Sequence, residues 1–291
     1  MKKFSIIKEQ ALVYFFGSLL FVCSSLSNAQ QIKRYNSLDE ALTNPTQVKW
    51  LELHGDSIVK VPDDLFLFPN LEYLDLSYSG ISYLSEDISQ LTKLKLLNLS
   101  GTGIVKLPKS LSELDNLTAV QLSYMKNFDL TSAIPILSKV TPLKIVELKN
   151  DGIEQLPSNI GLLQQVESLN LSGNPLRSLP DQFASLYHLH TLFINNDSNF
   201  NLKQSIDVLA KIPALYELHL ENDMLQVIPE RITDLTELRY LYLNNNQIKG
   251  LPDLFNDMNS LKYLDVINNP IPDSYWMEHP LTPTIKINIG K

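Results

Sequence analysis

The stretch LKIVELKNDGIEQLP, residues 143–157, decides the fold of this chain. Val146 and Leu148 alternate with polar neighbours, which predicts a short strand, and Asn150, Asp151 and Gly152 indicate a turn after it. The same spacing of apolar residues recurs ten times, in units 23 or 26 residues apart that begin at Val48, Leu71, Leu94, Leu117, Leu143, Val166, Leu189, Leu215, Leu238 and Leu261. Each unit can bury its apolar face only against a neighbouring unit, so the repeat predicts a solenoid.

The unit resembles the leucine-rich repeat, LxxLxLxxNxL, in its 23-residue form with an LPxx(I/L)xxL return segment. It is similar to Ras-suppressor-like proteins, to the plant intracellular Ras-group proteins and to exported bacterial repeat proteins. The resemblance implies an α/β solenoid, a horseshoe of ten repeats, with a parallel sheet on its concave side. The repeat Asn occurs only at Asn174, Asn246 and Asn269; the other units hold Asp56, Ser79, Thr102, Met125, Asp151, Asp197 and Asp223. Since ionised carboxylates only accept hydrogen bonds, we expect the family's asparagine ladder to be interrupted there.

The ends of the chain depart from the repeat. We predict a signal peptide over 1–29, an N-terminal cap helix over 30–47, the repeats over 48–271 and a C-terminal cap over 272–291. Ser37 and Glu40 have capping-box spacing, which predicts a short helix there. At the other end Tyr275 and Trp276 can cover the last unit, and Ile285, Ile287 and Ile289 alternate like a closing strand.

The first 29 residues have the order of a secretory signal. Lysines precede an apolar stretch, 11–22, and small residues precede an expected cleavage between Ala29 and Gln30. A membrane anchor and a lipoprotein with Cys23 lipidated are the alternatives; the apolar stretch is short for a span of about 20 residues. We therefore expect a secreted, periplasmic or cell-surface protein, with no stable membrane insertion after cleavage.

Composition narrows the partners. Cys23 is the only cysteine, so disulfide caps are excluded after cleavage, which favours a bacterial source. Cleavage would change 24 basic and 32 acidic residues to 21 and 31, a net charge of −10. Nucleic acids and anionic membranes bind basic surfaces, so a protein or peptide partner of basic or neutral character is expected.

No catalytic, metal or cofactor site is predicted. The sequence lacks a glycine-rich phosphate loop, HExxH and GxSxG. His54 and His219 would share the concave sheet but lie seven strands apart, more than ~30 Å, too far to hold one metal ion. We therefore expect a protein that is not an enzyme.

The concave face carries the candidate site. We predict partner contacts from aromatic, acidic and histidine side chains near the two ends of the sheet, namely Trp50, Tyr73, Glu217, His219, Glu221, Tyr240, Tyr242, Tyr263 and Asp265. Exposed tyrosines beside charge are typical of binding hot spots. The competing interpretation is that these tyrosines stack along the sheet for stability.

Two functions fit these residues. The favoured hypothesis is an exported, non-enzymatic module that binds a protein or peptide on its concave face. The alternative is recognition of a cell-wall or surface glycan, because sugars stack on tyrosine and Asn244, Asn245 and Asn268 lie near the same patch.

Overall fold

The computed structural model describes residues 32–290. The predicted signal segment, 1–29, lies outside the described residues. Within them, no helix combines the length and apolar character that a membrane crossing needs.

Twelve parallel strands form one open sheet whose spatial order follows the sequence. This confirms the predicted α/β leucine-rich-repeat solenoid. Neighbouring repeat strands pair position by position, as in Leu97 with Val120, because the units share one period. The strands are β1 (Arg34–Tyr35), β2 (Trp50–Glu52), β3 (Tyr73–Asp75), β4 (Leu96–Asn98), β5 (Ala119–Gln121), β6 (Ile145–Glu147), β7 (Ser168–Asn170), β8 (Thr191–Phe193), β9 (Glu217–His219), β10 (Tyr240–Tyr242), β11 (Tyr263–Asp265) and β12 (Lys286–Asn288).

The return segments are short because proline begins most of them. The 23-residue units return through five-residue 3₁₀ helices: Asp63–Leu67, Glu86–Gln90, Lys109–Glu113, Ser158–Leu162, Asp181–Ser185, Glu230–Asp234 and Asp253–Asp257. The two 26-residue units instead carry α2 (Leu130–Leu137) and α3 (Leu202–Leu209), whose N-termini are capped by Asp129 and Asn201. Three extra residues are enough to turn a 3₁₀ turn into a two-turn α-helix.

Both ends of the sheet are covered. At the N-terminus α1 (Leu38–Leu42) is capped by Ser37, whose Oγ accepts from the Glu40 N–H at 3.1 Å. A 3₁₀ turn, Pro45–Gln47, follows it, and the unpredicted strand β1 pairs with β2. At the C-terminus α4 (Asp273–Glu278) precedes β12, which pairs with β11 as the alternating isoleucines predicted. The Tyr275 hydroxyl bonds the Leu251 N–H and C=O at 2.8 and 3.0 Å.

The first, fourth and sixth positions of the units form a continuous core. Leu143, Val146 and Leu148 are fully buried, as are nearly all their counterparts. This row arrangement leaves the third, fifth and seventh positions on the opposite, concave side of the sheet. Those positions form the candidate site.

Candidate binding surface

In-register pairing converts the repeat into rows that run along the concave sheet. Each third-position residue lies beside the third-position residue of the next strand, and the fifth positions do the same. The third-position row ends with Thr191, Glu217, Tyr240 and Tyr263, and the fifth-position row ends with Phe193, His219, Tyr242 and Asp265. Side-chain size along a row therefore decides what solvent reaches.

The N-terminal end of the concave face is packed closed. Trp50 and Tyr73 stack with ring centroids 4.8 Å apart, and the Arg34 guanidinium lies 4.3 Å from the centroid of Trp50. Together with Leu96 and Ala119 they make a small apolar cluster, in which Trp50 and Tyr73 are 6% and 2% exposed. These two predicted contact residues thus lie on the predicted side of the sheet, beneath their neighbours.

The C-terminal end carries an aromatic ladder made of Phe193, His219, Tyr242 and Tyr263. The His219 ring lies 4.1 Å from both Phe193 and Tyr242, and its plane is only 6° from that of Tyr242. Tyr242 and Tyr263 follow at 5.4 Å in a tilted arrangement. Strand spacing of about 4.8 Å suits ring stacking, so three successive fifth positions with flat side chains form one column.

His219 is held by carboxylates on both sides. Its Nε2 lies 3.1 Å from Glu217 Oε1 and its Nδ1 lies 3.2 Å from Glu221 Oε1. Both nitrogens can donate only when the ring is protonated, so this geometry selects the imidazolium form. We call these three residues the Glu–His–Glu cluster.

Two opposing effects set the charge of His219. Burial disfavours the cation, since the residue is only 6% exposed, but the hydrogen bonds and charges of Glu217 and Glu221 outweigh it. The pKa of His219 is therefore raised above its ordinary value of 6.5. Glu217 itself is 2% exposed, so it acts from beneath the surface.

The accessible part of the predicted site is Tyr240, Tyr242, Tyr263, Asp265 and the edge of Glu221, all of which are half-buried. The Tyr263 hydroxyl donates to Asp265 Oδ2 at 3.2 Å. Burial, reinforced by that carboxylate, raises the pKa of Tyr263 to about 12. The structure thus brings these residues together on β9 to β11, apart from Trp50 and Tyr73 on β2 and β3.

The other concave carboxylates already have partners in the sheet. Glu52 accepts from the Trp50 indole at 2.7 Å, Asp75 accepts from the Asn98 amide at 3.0 Å, and Glu147 lies 3.0 Å from the Lys149 ammonium. Asp265 also accepts from the Asn288 amide at 2.9 Å. The acidic excess of the concave face is therefore largely satisfied from within.

The second positions beside it are equally balanced. Glu72 bridges Lys49 and Lys95 at 2.9 and 2.6 Å, and Glu167 pairs with Lys144 at 2.6 Å. Lysines here alternate with glutamates, so this row adds little net charge to the concave face.

No group of three or more histidine, cysteine, aspartate or glutamate side chains suited to a metal ion occurs in the described part of the chain. His54 and His188 each lie 2.8 Å from a backbone carbonyl oxygen, and His190 stacks on Tyr216. These histidines have structural partners rather than one another.

One exposed pair was missed from the sequence. Tyr78 and Tyr124 are 58% and 50% exposed, and their rings approach to 6.1 Å. Both occupy the left-handed turn position after a strand, with φ of 52° and 62°, where the other units place only glycine or asparagine. The rings meet because Gly101 between them has no side chain: a Cβ there would lie 2.5 Å from Tyr78 Cδ1. The signal available in the sequence was tyrosine at a position that favours glycine or asparagine.

The matched families agree with this architecture. Models described as leucine rich repeat match residues 46–104, 165–186 and 213–271. Among curated protein sequences, none matches this chain.

Two solved structures show the same fold. A chain of the Drosophila Toll–Spätzle complex superposes with a TM-score of 0.69 at 23% identity, over 87% of this chain and 34% of that one. An internalin of Listeria monocytogenes gives a TM-score of 0.54 at 20% identity, over 88% of this chain and 77% of that one. This chain thus spans about a third of the first match. It is a leucine-rich repeat protein.

Proposed function

We propose that this protein is an exported, non-enzymatic module that binds a protein or peptide on the concave surface of β9 to β11. We further propose the division into a signal over 1–29, a cap over 30–47, repeats over 48–271 and a second cap over 272–291. Leucine-rich repeat domains are commonly protein-binding modules, and solenoids provide extended concave surfaces for this purpose.

The observation that carries the proposal is the aromatic ladder. Stacking fixes Tyr242 between His219 and Tyr263, while Tyr240 and Tyr263 lie half-buried beside it. Rings that are already held in place lose little side-chain freedom on binding, which favours affinity. Glu217 and His219 act in this proposal as buried supports, and Tyr240, Tyr242, Tyr263, Asp265 and Glu221 as the contacts. Trp50 and Tyr73 stabilise the distant end of the same face.

The satisfied carboxylates define the ligand's character. Because Glu147 and Asp265 already have partners, tyrosine contact area dominates over charge attraction. A neutral or weakly basic extended peptide, contacting two or three adjacent strands, fits this surface.

A random-peptide display library tests the proposal. Peptides enriched on the native protein should lose binding to a Tyr240→Ala/Tyr242→Ala variant, since aromatic hot spots cost about 2 kcal/mol or more when truncated. Tyr187→Ala is the matched control, because Tyr187 is 51% exposed in a turn outside the sheet. Peptides that bind the double variant as well as the native protein would refute the assigned surface.

A second candidate function, glycan recognition, is favoured by the Tyr78–Tyr124 pair. The groove beside Tyr124 is lined by Thr102, Lys126, Asn127 and Asn150, which offer hydroxyl, ammonium and amide groups next to a ring. Sugars use this combination of stacking and hydrogen bonding. A glycan array should give signals that Tyr78→Asn/Tyr124→Asn abolishes; a blank array with folded native protein would reject this candidate.

A further inference from the structure

The ninth position of each unit lies at the turn after the strand, where an asparagine side chain serves two backbone groups at once. Asn174 Oδ1 accepts from the N–H groups of Asp151 and Ile153 at 2.9 and 3.1 Å. Its Nδ2 donates to the carbonyls of Leu148 and Leu171 at 2.7 and 2.6 Å. Asn246 repeats this pattern one block later. A ladder residue therefore needs an acceptor and a donor on the same side chain.

Three buried units place aspartate at this position. Asp151, Asp197 and Asp223 are 8%, 1% and 2% exposed. One oxygen of each accepts a backbone N–H, from Met125, Leu176 and Asp197 respectively, at 2.7, 2.9 and 2.8 Å. The second oxygen of each is buried without a hydrogen-bond partner. The acceptor half of the ladder is thus kept, and the donor half is missing if the carboxyl is ionised.

The surroundings of these carboxyls are hostile to negative charge. None of the three forms an ion pair with a lysine, arginine or histidine of residues 32–290. Asp223 faces Asp197 and Glu221, both of which are acidic, and its neighbour in the next unit is the neutral Asn246. Asp151 faces only the Met125 backbone and Asn174. An ionised carboxylate at these sites would be buried, uncompensated and short of donors.

We propose that Asp151, Asp197 and Asp223 carry protons in the folded sheet, act as hydrogen-bond donors in place of asparagine, and release those protons as the medium becomes alkaline, so that the ladder is a pH-sensitive part of the fold. Each step moves one proton between the carboxyl group and solvent, with no other bond changed.

Burial supports the assignment by raising the pKa of Asp197 to about 6, of Asp151 to about 7 and of Asp223 to about 8, against the opposing bonds from backbone N–H groups. The ordinary value is 3.8, so the folded chain retains protons that the unfolded chain has lost. The stabilisation is fully present below about pH 4 and disappears as the pH rises through 6 to 8.

The device lies under the proposed binding surface. Asp197 follows β8, which carries Phe193, and Asp223 follows β9, which carries the Glu–His–Glu cluster. His219 shifts stability in the same direction, because its pKa is raised too and is set by Glu217 and Glu221. An experiment must therefore separate the aspartates from the histidine.

Thermal unfolding of the native protein and of the triple variant Asp151→Asn/Asp197→Asn/Asp223→Asn, at pH 5 and pH 9, makes that separation. Both proteins keep His219, so the difference between them isolates the aspartates. Asparagine supplies the donor at every pH, so the triple variant should lose less of its Tm between pH 5 and pH 9, and at pH 9 it should melt at least ~2 °C above the native protein. Asp56→Asn is the control, because Asp56 holds the same ladder position in the first unit and is exposed.

Infrared absorption gives a readout that does not depend on stability. The native protein should show a protonated-carboxyl band at pH 5 that declines through pH 6 to 8 and is reduced in single Asp223→Asn and Asp151→Asn variants. Equal Tm losses in the native protein and the triple variant, or the same carboxyl band in all of these proteins, would overturn the proposal.

Discussion

At the scale of single residues, the concave site depends on what stands beside each side chain. Alternation along a strand places His219 and Trp50 on the concave side, and this could be predicted. Their burial could not, because it arises from neighbours 23 or 26 residues away whose sizes happen to match: Phe193 and Tyr242 enclose His219, and Arg34 covers Trp50. Pattern gives direction, whereas packing along a row decides accessibility.

The Glu–His–Glu cluster makes a direct prediction about protonation. Because the carboxylates of Glu217 and Glu221 outweigh the burial of the ring, the pKa of His219 lies above 6.5. Its stabilising contribution is fully present below that pH and is lost as the pH rises through the folded-state pKa. Ring nitrogen NMR should show the doubly protonated imidazole of His219 at pH 6.5, and Glu221→Gln should lower its midpoint. A ring already neutral at pH 6.5, or unaffected by Glu221→Gln, would contradict the assigned charge.

Gly101 makes a second residue-scale prediction. Its φ is 69° and a Cβ would meet the Tyr78 ring at 2.5 Å, so Gly101→Ala should destabilise the protein by about 1–3 kcal/mol. Gly103, two residues later, has room for a Cβ at 3.5 Å from its nearest neighbours and no positive φ. Urea unfolding of the two variants checks this: equal losses for Gly101→Ala and Gly103→Ala would show that the tyrosine pair does not require the glycine.

At the scale of elements, the repeat period specified almost everything. The apolar positions predicted ten repeat strands, the two 26-residue units predicted longer helices, and α2 and α3 occur where they were expected. Strand β1 could not be predicted, because Arg34 and Tyr35 precede the first leucine of the pattern and pair with β2 only through backbone bonds. The period describes units, and capping elements lie outside it.

The strand assignment predicts unequal costs for two neighbouring substitutions. Leu148 is fully buried after β6, so Leu148→Ala should lose about 2–5 kcal/mol of unfolding free energy. Asn170 is half-buried on the concave side of β7 and bonds only the nearby Ser172 N–H at 3.0 Å, so Asn170→Ala should cost far less. Chemical denaturation measures both; similar losses would mean that the strand faces are assigned wrongly.

At the scale of the whole molecule, acidic composition and acidic surface differ. The net charge of −8 suggested a basic ligand. The structure instead pairs concave acids with Lys149, Asn98, Asn288 and Trp50 inside the sheet. Composition counts charges, and it cannot reveal which of them are already neutralised by residues one or two strands away. The tyrosines of β10 and β11 are therefore the more informative part of the predicted site.

The central claim is that β9 to β11 form the contact surface, and a matched pair of variants tests it most directly. Tyr240 and Ser168 occupy the same third-position row, on β10 and β7. Calorimetric titration of one library-selected peptide should show at least ~10-fold weaker binding to Tyr240→Ala and an unchanged dissociation constant for Ser168→Ala. Equal affinity for the native protein and Tyr240→Ala, or a loss confined to Ser168→Ala, would contradict the account.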